Sequence, residues 1–268
     1  FTSTDYYSSF DSDGFTIASG SSGAGNGSSQ TAVQWCWKAG TSFSNDASAT
    51  SVGTLDSSGS TNQTAGFSIV SFTGSGSANQ SVAHNLGGTP EMIIFKCRET
   101  ATDWTTFHTK LGGANKNLSL NSNSAAGTDT DFFANTNPTS TVFSVGAASN
   151  TNRGSEGMIA YCFRSIKGYS KFGSYTGNGN ADGTFIYTGF KPAFLIIKQT
   201  NFGNSWRMYD NKRSTFNIVT KELYPNTNDA EATTDKMDFV SNGFKFRTSA
   251  TNANESGSPY IYMAFAES

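Results

Sequence analysis

The chain has 268 residues, a formal net charge of -2 and only 14% charged residues. Soluble domains average about 25% charged residues, so polarity here comes from Ser, Thr, Asn and 28 Gly. The near-neutral balance argues against nucleic acid, which rewards clustered Lys and Arg. Abundant aromatics (22 Phe, 10 Tyr, 4 Trp) exclude a disordered polar tract. No heptad pattern supports a coiled coil. The longest apolar runs, 92–95 and 193–197, are strand-sized, far short of the ~20 residues of a membrane helix, so no membrane insertion is expected. The chain opens at Phe1 without a signal peptide, which reads as a piece of a longer polypeptide or a processed product.

Taken in order, residues 1–38 read as the trailing part of a preceding repeat unit. Segment 10–17 (FDSDGFTI) resembles 239–246 (FVSNGFKF), each with an Asp-Gly or Asn-Gly pair between aromatic strands. Those dipeptides accept the positive φ angles of a hairpin turn. Segment 33–37 matches the unit-closing strands at 159–163 and 261–265. Residues 39–65, rich in Ser, Thr, Gly, Asn and Ala, read as a linker. Two full units follow, 66–166 and 168–268.

The repeat is carried by one constant offset. Pro90 and Pro192, Lys96 and Lys198, Trp104 and Trp206, and Lys110 and Lys212 are each 102 residues apart, as are the closing strands. Both units open on aromatic-Ser, a strand, then aromatic-Thr-Gly-X-Gly at 72–76 and 175–179. Alternation over 67–72, the continuous apolar run after Pro90, and large residues at 104–108 and 206–210 all read as strands. Helix is scarce; the best candidate is 228–237. The expectation is an all-β chain of tandem β-sandwich (jelly-roll-like) units of about 100 residues.

Chemistry-bearing constellations are few. Asp11 and Asp13 could ligate calcium, but the repeat has Val240 and Asn242 there, and a hairpin turn explains both copies. Asp129 and Asp131 could form a carboxylate pair, without a counterpart in the second unit. His84 and His108 lack metal-ligand spacing. Cys36 and Cys162 share one repeat position, occupied by Ala264 in the last unit, and read as buried free thiols. Trp104 and Trp206 could stack on sugar rings or pack a core. Together with His108 and its repeat partner Asp210, they are the ligand-binding candidates. No catalytic residue, metal or cofactor is expected, and residues that differ between copies are the better recognition candidates.

Segments 35–40 (WCWKAG), 168–179 (GYSKFGSYTGNG), 187–194 (YTGFKPAF) and 208–213 (MYDNKR) resemble a domain of uncharacterised function in marine bacteriophage tail-fibre-like and other virion-associated proteins. The sequence departs from that pattern at 84–87, where His-Asn-Leu-Gly replaces a more usual His-Gly-Leu-Gly. The resemblance implies a non-enzymatic appendage protein on the virion surface. Its expected partners are other virion subunits, in a homo-oligomer with a trimer favoured, and a host-surface glycan or protein. A structural virion protein with no host ligand is the alternative. A polysaccharide-degrading tailspike fits least, because such solenoids repeat every ~20–30 residues.

Overall fold

The computed structural model describes residues 7–11, 14–17 and 31–267, apart from the side chain of Asp235. It divides into two compact units, Phe1–Trp37 and Lys38–Ser268. In the smaller unit, β1 (Tyr7–Phe10) and β2 (Phe15–Ile17) form an antiparallel hairpin with Phe10 opposite Phe15. The Asp11 amide donates to the Gly14 carbonyl across the turn. This is the hairpin that the repeat implied; Asp13 lies outside the described residues. Residues 33–37, expected as a closing strand, form none, and Cys36 is exposed rather than buried. A closing strand is held between two neighbours in each full repeat, and no described strand flanks 33–37 in that way.

The larger unit begins with β3 (Thr41–Asn45), a four-residue helix α1 (Ala47–Thr50) and β4 (Ser57–Asn62). The first full repeat continues with β5 (Phe67–Thr73), β6 (Gln80–Ala83), β7 (Met92–Cys97), β8 (Thr105–His108), β9 (Lys116–Ser119), β10 (Gly127–Thr128) and β11 (Val142–Val145). It closes with α2 (Ser149–Asn152) and β12 (Gly157–Phe163). The second repeat carries β13 (Ser170–Thr176), β14 (Phe185–Tyr187), β15 (Pro192–Gln199), β16 (Arg207–Asp210), β17 (Val219–Glu222), β18 (Ala232–Val240) and β19 (Gly243–Phe246). It ends with α3 (Thr251–Asn254) and β20 (Pro259–Ala266).

All named strand pairs are antiparallel. One sheet runs β10-β9-β8-β7-β12-β5-β4-β3, with β6-β11 as a second layer. The second repeat has β13-β20-β15-β16 and β14-β19-β18-β17, tied by a bridge between Met208 and Leu223. The order β5-β12-β7-β8 therefore recurs as β13-β20-β15-β16, and β6-β11 recurs as β14-β19. Each repeat is an all-β sandwich closed over its own core. The first holds Val70, Phe95 and Ala160 against Val82, Phe143 and Val145; the second holds Leu195, Tyr209 and Ala264 against Ile186, Phe239 and Phe244. These alternate side chains come from the inward faces of pleated strands, as a two-layer β architecture requires.

Two expectations fail here. Residues 39–65 are not a linker: β3 and β4 extend the first sheet beyond β5, and Phe43 and Leu55 pack on its core. Small polar residues suit a strand whose contribution is backbone pairing with one or two apolar anchors. Segment 228–237 is not helical either. Most of it belongs to β18, where Met237 and Phe239 alternate into the core.

A buried asparagine organises each repeat. Asn152 accepts from the Ser75 amide (2.8 Å) and donates to the carbonyls of Ser77 (2.8 Å) and Gly146 (2.8 Å). Asn254, 102 positions later, accepts from the Asn178 amide (3.0 Å) and donates to the carbonyls of Asn180 (2.9 Å) and Thr248 (2.8 Å). Both clamp the Thr-Gly-X-Gly turn to the loop before the short helix. Gly74 and Gly177 make room: a Cβ there would lie 2.1 Å from the Arg153 carbonyl oxygen and 2.2 Å from that of Glu255. Buried polar groups stripped of partners cost about 1–3 kcal/mol each. Asn152→Ala and Asn254→Ala should therefore each destabilise the larger unit by about 2–4 kcal/mol in chemical denaturation; a loss below about 1 kcal/mol would remove the clamp from this account.

Candidate functional site

Three of the four sequence candidates are used by the scaffold. The His108 Nδ1 accepts from the Lys110 amide at 3.1 Å, which places its proton on Nε2, 3.3 Å from the Tyr262 carbonyl. Trp206 is buried and its indole donates to the Ser119 carbonyl at 2.9 Å. Both contacts join the first repeat to the second, alongside the ring contacts of Phe163 with Phe172 (5.8 Å) and Phe265 (6.3 Å). Asp210 caps the amides of Lys212 and Arg213 and pairs with the Arg213 guanidinium at 2.6 Å. Trp104 alone stays near the surface, 36% exposed and stacked on Tyr161. The same repeat position is thus open in the first copy and covered in the second.

Other polar clusters brace the fold. The Cys97 Sγ and carboxylate oxygens of Glu99 and Glu156 lie within 4.8 Å of one another. Glu156 is nevertheless saturated by the Cys97 thiol, Thr100 and Arg153, and these hydrogen bonds pull its pKa down to about 2. Glu99 accepts the Gly157 amide. Burial pushes the Cys162 thiol far up, the opposite of a nucleophile's requirement. In the second core, Glu222 pairs with Arg207 at 2.7 Å and accepts from Tyr209 and Tyr224. Burial raises the Glu222 pKa, but these donors outweigh it and the net shift is downward. Met208 bridges Leu223 as Thr106 pairs with Leu118, so the equivalent first-repeat positions are Thr105 and Asn117, and the ion pair is an addition to the second copy. Asp129 uses its carboxylate on the Asp131 amide.

A candidate site that the sequence does not mark is the seam between β13 and β14. A groove of about 710 Å³ opens there, lined by Lys110, Lys167, Lys171, Glu91, Phe185 and Tyr187 among others. Tyr187 is 59% exposed and Phe185 46%. Both stand on the outward side of a short edge strand whose middle residue, Ile186, enters the core. The Lys171 ammonium donates to the Tyr187 carbonyl at 2.7 Å and lies 5.2 Å from its ring centre, within cation–π range. Glu91 is held by the Ser165 amide. Three cations and one anion make the groove basic. The ladders match Ile186 to Val82, so the first repeat has Ser81 and Ala83 where Phe185 and Tyr187 stand, and the aromatic ledge belongs to the second copy. That substitution between copies was the available signal.

The two histidines give the scaffold a pH limit. Burial lowers both His84 and His108 to about 4, against the ordinary value of 6.5. The unfolded chain thus binds protons that the folded chain refuses, and stability falls as pH drops from 6.5 towards 4. At about 1.4 kcal/mol per unit the two together cost up to about 6 kcal/mol at the acid end. Denaturation free energies measured from about pH 7 down to pH 4.5 should decline steadily, and a flat profile would contradict neutral burial.

Among the described residues no helix is long and apolar enough to cross a membrane. No curated protein and no solved structure matches the chain. One family model, described as a domain of unknown function (DUF7483), matches residues 2–268. Since that span includes both repeats and the hairpin before them, the chain belongs to the DUF7483 family.

Proposed function

We propose that the chain is a non-enzymatic component of a phage fibre or related virion appendage, and that it serves adhesion to a host-surface glycan or protein. The observation that carries this reading is the basic, aromatic-edged groove between β13 and β14, mounted on a repeat locked to its neighbour. Aromatic ledges beside charged and hydroxyl groups bind ligands through ring faces and short polar contacts. Weak individual sites become effective when a homo-oligomer, a trimer in this proposal, presents several at once. The sparsely charged, Ser-, Thr- and Asn-rich composition suits such a role at the virion exterior.

A structural virion role without a host ligand is the second reading. It draws on Phe216 (83% exposed) and Ile218 (41%), which offer an apolar contact outside the groove. Binding of the labelled chain to bacterial cells and glycan arrays separates the two. Adhesion predicts saturable binding that falls at least tenfold in Tyr187→Ala while the melting temperature is unchanged. Binding insensitive to that substitution would sink the groove as the adhesion site, and no binding by an assembled oligomer would favour the structural role.

A further inference from the structure

The two repeats differ in what fills one seam. In the first, β4 pairs with β5, setting Ser58 opposite Ser71, Ser60 opposite Ile69 and Asn62 opposite Phe67. The same segment reaches the other wall: Ser57 Oγ donates to the Ala83 carbonyl (2.9 Å) and Thr61 Oγ1 to that of Asn85 (2.9 Å). The amides of Thr54 and Leu55 donate to the Ser81 carbonyl. Residues 53–63 thus lie between the opening strand of the repeat and the first strand of its second layer, bonded to both.

In the second repeat the corresponding walls are β13 and β14. The bonds from Ala266 N to Tyr169 O and from Gly177 N to Ser258 O set the phase of β13. Residues 171, 173 and 175 face β20, and 170, 172 and 174 point their backbone groups the other way. Ser170 is tied to Ile166, and the Phe172 amide to the Ser165 hydroxyl. The Phe172 carbonyl and both backbone groups of Ser174 have no hydrogen-bond partner among the described residues. On β14, bonds from Phe246 N to Thr184 O and from Thr188 N to Asn242 O leave the backbone groups of Phe185 and Tyr187 facing the seam. Of these, the Tyr187 carbonyl is taken by Lys171. Between the walls lies the groove of about 710 Å³. The residues immediately before β13 are the closing strand of the first repeat, so no neighbouring stretch of chain is available to enter it.

We propose that this seam is a strand-acceptor site, and that its ligand is an extended, Ser/Thr/Gly-rich polypeptide segment. The proposal rests on reading the groove as a binding site and names the ligand class. The filled seam of the first repeat supplies the template. Its occupant, GTLDSSGSTNQ (53–63), has small side chains that allow close backbone approach. Backbone pairing to an exposed edge supplies affinity, while alternate side chains supply selection.

The test uses the whole chain and a synthetic peptide with the sequence of residues 53–63, followed by NMR and amide hydrogen exchange. The expected result is saturable binding below about 1 mM, with new protection at the Ser174 amide. An N-methylated peptide with the same side chains should bind at least tenfold more weakly, as should the unmodified peptide to Ser174→Pro, a substitution that an outward-facing edge amide tolerates. No saturable binding, or equal binding of the N-methylated peptide, would overturn the strand-acceptor assignment. Host-cell binding is scored separately. If cells bind through Tyr187 and the peptide does not compete, adhesion stands and the ligand class is wrong. Peptide binding with the stated backbone dependence, without cell binding, supports the acceptor and removes adhesion.

Discussion

One buried side chain per repeat, Asn152 in the first and Asn254 in the second, joins a turn to a loop that would otherwise have no shared partner. A backbone amide and two backbone carbonyls converge on each amide group, and nothing smaller or differently shaped satisfies all three. The opening strand, the short helix and the closing strand are mutually positioned through that point. The glycines of Thr-Gly-X-Gly then serve steric access more than flexibility, because carbonyl oxygens lie where a Cβ would be. Stability in such a sandwich comes from apolar burial, but the register of the layers comes from this polar clamp.

With the frame held constant, the copies diverge around it. Lys96 donates to the Thr102 carbonyl, whereas Lys198, fully buried and lowered by burial to about 8, donates to those of Gln199 and Phe202. The same residue thus closes the same loop at two depths. The second core accepts an Arg207–Glu222 pair where the first has Thr105 and Asn117. A buried pair of this kind is weak evidence for added stability. The first repeat fills its seam with its own residues, and the second leaves it open beside Phe185 and Tyr187.

The strand layout was legible because period-2 alternation, turn dipeptides and a constant 102-residue offset are local or translational signals. Residues 39–65 carry no strand signal of their own because β3 and β4 owe their existence to an edge offered by β5, not to their own propensity. Segment 33–37 differs for the opposite reason: it has the composition of a closing strand, but no described strand pairs with it. The site was harder still. Trp104 and Trp206 share a register position but differ in exposure, since the packing of one repeat on the other covers only the second. Phe185 and Tyr187 resemble core aromatics until the neighbouring strands show that the alternation places them outward.

The pairing of first and last strands has a mechanical meaning. Ser170 lies opposite Phe265, and Phe67 opposite Phe163, so each repeat receives and releases the chain at the same end of adjacent antiparallel strands. Tension applied through those two points would load the ladder one rung at a time, as in opening a zip, instead of shearing all rungs together. The aromatic cluster of Phe163, Phe172 and Phe265 sits at that end. Resistance to pulling is therefore concentrated in a few ring contacts, and once they part the remaining rungs yield at low force.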